Sequence, residues 1–198
     1  MKASAQQDIP PAVFLGFCAK EYWAPAPDWW NATWTAHIQE VCSAGACLSK
    51  RPPAWVDRWD FNRASCWNDE AAAIACVPDE LRDAFRVYAY RAMPLIFGGD
   101  ALPRHLAVDQ LFFSDLPPLP PEPALPEYQR LGYTVVQYAH YLGYGCSPLS
   151  CNGMGAQQPV NAYCLLDTLA VAYTTAEVFA CDEPEPGPYI IFEILRRR

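Results

Sequence analysis

Two cysteine pairs with equal spacing are the first residues in this chain that could do chemistry. Cys42 and Cys47 bracket one loop, Cys146 and Cys151 bracket another, and both loops follow the pattern C-S-x-x-x-C. Four such thiolates could close a tetrahedral zinc site, although zinc ligand pairs usually lie closer together in sequence. Each pair could also form a disulfide, which a reducing compartment disfavours. We expect buried structural thiols, with no metal and no cofactor.

The second cysteine loop carries more polar groups than the first. Its sequence, GCSPLSCNG, combines hydroxyl and amide side chains with glycines, so its N–H groups could hold a small anion or a peptide carbonyl. A thiol enzyme would also need a base beside the cysteine, and His140 precedes Cys146 closely enough for contact to be conceivable. An Asn-Gly pair is equally typical of a plain turn. The candidate binding residues of this loop are Cys146, Ser147, Ser150, Cys151 and Asn152.

Tryptophan is confined to one part of the chain. All seven tryptophans fall between Trp23 and Trp67. Tryptophan is enriched at interaction hot spots, which favours a recognition surface, whereas a small second core is the alternative. Two pairs with four-residue spacing would each share one face of a helix. We therefore expect a Trp-rich helical insertion over about residues 24–65, with Trp30, Trp34, Trp55 and Trp59 as its binding anchors.

Strands and helices are predicted around these groups. Four segments rich in β-branched and aromatic residues are typical of strands. Apolar residues at three- and four-residue spacing after an Asn or Asp indicate helices. The predicted strands are residues 12–18, 86–97, 133–141 and 189–195, and the predicted helices cover about 69–75 and 167–180.

The order of strand, helix and strand occurs twice. Each half also carries a C-S-x-x-x-C loop followed by another cysteine, Cys66 or Cys164, although chance could produce such a match. We predict an α+β fold in which a tandem βαβ-like repeat forms a ferredoxin-like sandwich. The repeat halves are residues 12–97 and 128–195 of a single domain, 1–198, and a proline-rich extended connector joins them at 117–126.

Composition and charge restrict the class of protein. The chain has 198 residues, of which 52% are hydrophobic and 18% are charged, which excludes a disordered chain or a coiled coil. The net charge of -8 makes nucleic acid an unfavourable partner. No segment has the length of apolar sequence that a membrane span needs, and the first residues do not resemble a secretory signal. We therefore expect a cytoplasmic protein without membrane contact.

These observations favour a non-enzymatic function. We expect an acidic binding or regulatory protein whose partner is another protein, such as an immunity-type protein or an inhibitor of a basic toxin. A thiol-dependent enzyme or small-ligand sensor at the Cys146–Cys151 loop is the alternative. A structural zinc protein is the third hypothesis.

Overall fold

The computed structural model describes the parts of the chain that form one sheet and the elements packed on it. These parts are residues 11–22, 36–42, 62, 64, 66–98, 101–105, 117–139, 143–144, 146–151, 157–182 and 188–198. In chain order the elements are β1 (Val13–Glu21), α1 (Glu70–Ala75), a 3₁₀ helix (Asp79–Ala84), β2 (Phe85–Gly98), β3 (Ala101–His105), β4 (Tyr128–Ala139), β5 (Gly143–Tyr144), α2 (Pro148–Cys151), α3 (Leu169–Asp182) and β6 (Tyr189–Arg197).

The two main helices begin at polar caps. The carboxylate of Asp69 accepts a 3.0 Å hydrogen bond from Ala72 N, as an N-cap does, and α1 begins at the next residue. At α3 the hydroxyl of Thr168 accepts a 3.3 Å bond from Val171 N. The predicted cap of α3, Asp167, accepts instead from the side chain of Asn161 at 2.9 Å. Both helices are confirmed, and the cap of α3 lies one residue later than predicted.

The strands form one sheet, and the pairing described between them is antiparallel throughout. Their order is β1-β2-β6-β4-β5, with β3 also paired to β2. The central pair, β2 and β6, places Tyr90 opposite Ile194 and Arg91 opposite Glu193. The α+β class and an antiparallel sheet are therefore confirmed.

Both faces of this sheet are covered. Side chains of a strand alternate between faces, and on one face Ile190, Phe192 and Ile194 of β6 pack with Tyr88 and Tyr90 of β2. On the other face α3 packs against β2, β4 and β6, and α1 packs against β1 and β2. None of the helices in the described parts of the chain is long and apolar enough to cross a membrane.

Two loops pair with the outer edges of β1 and β4 in the same way. Phe17 and Trp67 exchange two backbone hydrogen bonds of 2.8 Å, and Tyr133 and Leu166 do the same at 2.8 Å. Each loop thereby satisfies the backbone N–H and C=O of one edge residue, Phe17 in β1 and Tyr133 in β4. The equivalent pairing of the two loops with β1 and β4 supports the predicted tandem repeat, which stays a prediction.

The correspondence between the halves differs from the predicted one. Trp67 in the first half is equivalent to Leu166 in the second, because each forms the bridge to its outer strand. Cys66, the residue before Trp67, is therefore equivalent to Leu165 and not to Cys164. A ferredoxin-like sandwich is not confirmed, because β1 and β2 are direct antiparallel neighbours, whereas a βαβ unit joins two parallel strands. The predicted helical insertion, residues 24–65, lies mostly outside the described residues, and its described stretch 36–42 forms a turn and irregular backbone, not a helix.

A glycine in each outer strand allows the loop to approach. Gly16 has φ 122° and Gly132 has φ 150°, and a register shift lies beside each of them. A Cβ at Gly16 would lie 2.5 Å from the carbonyl oxygen of Trp67, and one at Gly132 would lie 2.8 Å from that of Leu166. Both sites therefore require glycine for conformation and for space.

Candidate functional site

Several predicted site residues lie outside the described parts of the chain. These are the four proposed anchors Trp30, Trp34, Trp55 and Trp59, together with Asn152 of the second cysteine loop. Their role in binding stays a prediction. Cys146, Ser147, Ser150 and the backbone of Cys151 are described.

The second cysteine loop is packed on β4. The hydroxyl of Ser147 hydrogen-bonds the hydroxyl of Thr134 at 2.8 Å, and Gln137 N donates to the carbonyl of Cys146 at 3.0 Å. Ser150 donates to the carbonyl of Ser147 at 3.4 Å. Both serines have no exposed surface, so their polar groups bond within the protein.

The thiols of this protein lie in different environments. Among the cysteines whose side chains are described, none forms a disulfide. Cys42 and Cys164 are buried, Cys146 is half-buried and Cys181 is exposed. Burial raises the pKa of Cys164 to about 12, and the Cys164 thiol donates to the carbonyl of Leu149 at 3.6 Å. Such a thiol stays protonated and acts as a small packing group.

No group of metal ligands is found in the described residues. Three or more His, Cys, Asp or Glu side chains do not come together anywhere in those parts of the chain. Of the four cysteines considered for zinc, Cys42 donates to the hydroxyl of Tyr88 at 3.6 Å. The side chains of Cys47 and Cys151 lie outside the description, so the zinc hypothesis stays a hypothesis.

A buried polar network surrounds Cys42. Tyr88 donates a short hydrogen bond to Glu40, and Arg196 donates a second short bond to the other oxygen of that carboxylate. The guanidinium of Arg196 also lies over the ring of Tyr163, with Cζ 5.3 Å from the centroid. The network joins residues 36–42 to the ends of β2 and β6.

The electrostatics of the network keep the acid ionised and the thiol neutral. Burial alone would raise the pKa of Glu40, but the hydrogen bonds from Tyr88 and Arg196 outweigh it, and the pKa lies below its ordinary value. Burial, reinforced by the charge of Glu40, raises the pKa of the Cys42 thiol. Burial raises the pKa of Tyr88 as well. The network is an ion pair with two neutral donors, and it offers no activated nucleophile.

An apolar groove lies on the outer side of Arg196. It runs between α1 and the adjoining ends of β2 and β6, and has a volume of about 370 Å³. We call it the α1 groove, and its apolar lining consists of Ile74, Val77, Phe85 and Val87. Ile74 is 40% exposed, which is unusual for a large aliphatic side chain of this chain's described residues.

Charged side chains complete the lining of the α1 groove. One carboxylate is present, that of Glu70, and it lies 3.6 Å from the guanidinium of Arg197. The rest are guanidinium groups, contributed by Arg82, Arg86, Arg196 and Arg197. The groove therefore combines an apolar interior with a rim of ion pairs, in which Arg82 pairs with Asp79, Arg196 with Glu40 and Arg197 with Glu127.

Sequence reasoning missed both the network and the groove. Glu40 and Arg196 are 156 residues apart, so no local pattern connects them. The sequence contains the run Arg196-Arg197-Arg198, but it does not show which side chains these arginines contact, so it assigns them no role. A comparison with family models, curated proteins and solved structures finds no match, so the site has to be interpreted from its own chemistry.

Proposed function

We propose that this chain is a non-enzymatic binding or regulatory protein that contacts another protein through the α1 groove. The observation that carries the proposal is the exposure of Ile74 above an apolar cavity of about 370 Å³. Apolar grooves with a few charged groups on the rim are typical of sites that accept a side chain of a partner.

The thiol-dependent alternative has less support. Cys42 and Cys164 are buried, and their raised pKa values disfavour the thiolate that a nucleophile needs. Cys146 is more accessible, but the serines beside it are buried and bonded to β4 or to the loop itself. An enzyme or sensor at the Cys146–Cys151 loop remains the second proposal, with His140 as its base.

Other parts of the functional prediction are kept as proposals. An immunity-type or inhibitor role in the cytoplasm accords with a compact acidic chain of net charge -8. The anchors Trp30, Trp34, Trp55 and Trp59 would extend the contact surface through the proposed helical insertion. We also keep as a proposal that the two halves of the sheet are a tandem repeat with a ferredoxin-like arrangement. The proposal for the α1 groove does not depend on it.

Site-specific photo-crosslinking tests the groove. A photoreactive phenylalanine analogue replaces Ile74 in one variant and Val178 of α3 in a control variant. The two positions are matched, because their exposures are 40% and 39% and both lie on helices. In extract from cells that produce the protein, we expect a discrete crosslinked protein from position 74 alone, and that protein should bind the purified chain. Equal labelling from both positions, or none from 74, would contradict the proposal.

A further inference from the structure

We infer that the proline-rich connector, residues 117–126, is itself a ligand: it binds a second partner, a protein domain with a groove of aromatic side chains that accepts polyproline segments. The connector lies outside the helices and strands of the fold, and most of its residues are exposed. The inference goes beyond the proposed function, because none of the described residues that line the α1 groove belongs to the connector.

The connector has the features of a polyproline II helix. Six of its ten residues are proline, which fixes φ close to the value of that helix. Residues 117–125 belong to no helix, strand or turn, and residues 117–124 form no backbone–backbone hydrogen bond with any part of the chain that the structure describes. A polyproline II helix needs no such bonds and turns once every three residues, so residues three apart share one edge.

One edge of the connector faces the protein. Leu119 packs against the hydrophobic cluster of β2 and β6 described above, and Leu125 packs against the cluster beneath α1. Between them, the carboxylate of Glu122 pairs with Arg91 of β2. These contacts occur at intervals of three residues, as expected when one edge of a polyproline II helix is anchored. The other two edges are then directed away from the protein.

Prolines occupy the two outward edges. The seven positions other than the three anchors hold all six prolines and one alanine, so these edges carry no polar side chain. Pro120 is half-buried, and the exposed prolines are Pro117, Pro118, Pro121, Pro123 and Pro126. A solvated spacer is typically polar, whereas a contiguous apolar surface that stays exposed is typical of an interaction site. The outward edges therefore have the composition of a ligand surface.

The spacing of these prolines fits the grooves that bind polyproline. Such grooves are lined with aromatic side chains and accept P-x-x-P segments. Pro117-Pro118 and Pro120-Pro121 form two adjacent pairs that repeat after one helical turn, so successive pairs can enter successive parts of one groove. Because the anchored connector is already extended, little conformational entropy is lost on binding.

Charge restricts the kind of groove. The connector contains no Lys or Arg, and its one carboxylate, that of Glu122, pairs with Arg91. A groove that requires a basic residue in its ligand would find none here. The net charge of -8 would also repel a partner with an acidic surface around its groove. We therefore expect an aromatic groove with a neutral or basic rim.

A panel of purified proline-binding domains tests the inference. Fluorescently labelled SH3, WW and EVH1 domains are titrated with the full chain, and binding is measured by anisotropy. We expect a domain with a neutral or basic groove rim to bind, and a synthetic peptide of residues 117–126 to displace the chain from it. Binding by no domain of the panel would overturn the inference. Binding of the peptide without binding of the full chain would overturn it too, because the outward edges would then be inaccessible.

A double variant and a matched control locate the binding. Pro118→Ala with Pro121→Ala removes two rings from one outward edge, and we expect it to weaken binding about tenfold. Pro11→Ala changes an exposed proline outside the connector and should alter the affinity less than about twofold. Equal weakening by the double variant and by Pro11→Ala would show that the connector is not the ligand. The same two substitutions in the peptide measure the loss even if the double variant fails to fold.

The outcomes for the connector and for the α1 groove are distinguishable. The double variant should leave the crosslink from position 74 unchanged, because the connector does not contribute to the described lining of the groove. If the double variant abolishes that crosslink, one partner covers both surfaces and the inference of a second partner is wrong. If a panel domain binds the connector while position 74 gives no crosslink, only the proposed function of the groove fails.

Discussion

Asn62 and Asn161 make the same set of hydrogen bonds, each in its own half of the sheet. The side-chain nitrogen donates to the carbonyl of the residue before a glycine of positive φ, and to a side-chain oxygen six residues later in sequence. The side-chain oxygen accepts from the N–H groups two and four residues later. The partners are Leu15, Asn68, Ala64 and Cys66 for Asn62, and Leu131, Asp167, Tyr163 and Leu165 for Asn161.

Replacing either asparagine should destabilise the fold. Asn62→Ala and Asn161→Ala each leave backbone groups without partners, and we expect a loss of about 2 kcal/mol in the free energy of unfolding. Urea denaturation measures the loss. Asn68→Ala is the control, because it removes only one of these hydrogen bonds, at an exposed residue. It should lower the free energy of unfolding by less than about 1 kcal/mol. Equal losses in Asn62→Ala and Asn68→Ala would contradict this account.

The glycines beside these asparagines should resist substitution. Gly16→Ala and Gly132→Ala place a Cβ 2.5 and 2.8 Å from backbone oxygens at strained φ, and we expect each to cost about 3 kcal/mol. In Gly98→Ala the nearest contact of the added Cβ is 3.4 Å, to a Pro188 side chain, so its effect should stay below about 1 kcal/mol. Thermal melts of the three variants make the comparison, and similar melting temperatures would refute it.

Local patterns predicted four of the strands described, β1, β2, β4 and β6, and the helices α1 and α3, whereas β3, β5, α2 and the pairing between strands were not predicted. Ile190, Phe192 and Ile194 alternate along β6, and Asp69 caps α1 within one turn, so both features could be identified from neighbouring residues. The pairing of β1 with β2 depends on contacts between segments far apart in the chain. The composition of a strand does not specify which strand it pairs with. The ferredoxin-like order was predicted because it is the simplest arrangement of two βαβ-like units in one sheet.

The candidate site was hidden for the same reason. Glu40 lies within the predicted helical insertion, but residues 36–42 form a turn and irregular backbone, and Arg196 follows the last buried positions of β6. Only folding brings them together, with Tyr88 as a third member. The two cysteine loops have the same spacing in sequence but different surroundings. The thiol of Cys42 donates to Tyr88, whereas the backbone carbonyl of Cys146 accepts from Gln137 N. Equal spacing therefore did not indicate equal environments.

The cysteines should react with thiol reagents according to their environment. Cys181 is exposed, whereas burial raises the pKa values of Cys42 and Cys164. We expect Cys181→Ser to remove one rapidly labelled thiol from the native protein, and Cys164→Ser to remove none. Alkylation at neutral pH followed by peptide mass spectrometry gives the rates. Labelling of Cys42 as fast as Cys181 would show that the network around Glu40 is open to solvent.

The ion pair of Glu40 with Arg196 should make stability depend on pH in the acid range. The pKa of Glu40 lies below its ordinary value of 4.5, because hydrogen bonds from Tyr88 and Arg196 outweigh the effect of burial. A lowered pKa in the folded state contributes stability that is present above the unfolded pKa and is lost as the pH falls through the folded value. Glu40→Gln should therefore be less stable than the wild type at pH 7, by about 2 kcal/mol.

That difference should shrink as the pH is lowered through 4.5 and below, because the protonated Glu40 loses its advantage over glutamine. Urea denaturation at a series of pH values measures it. Glu127→Gln is the control, since Glu127 pairs with Arg197 at an exposed site and its removal should change stability by less than about 1 kcal/mol. A constant difference between wild type and Glu40→Gln across this pH range would mean that Glu40 is not ionised in the folded protein.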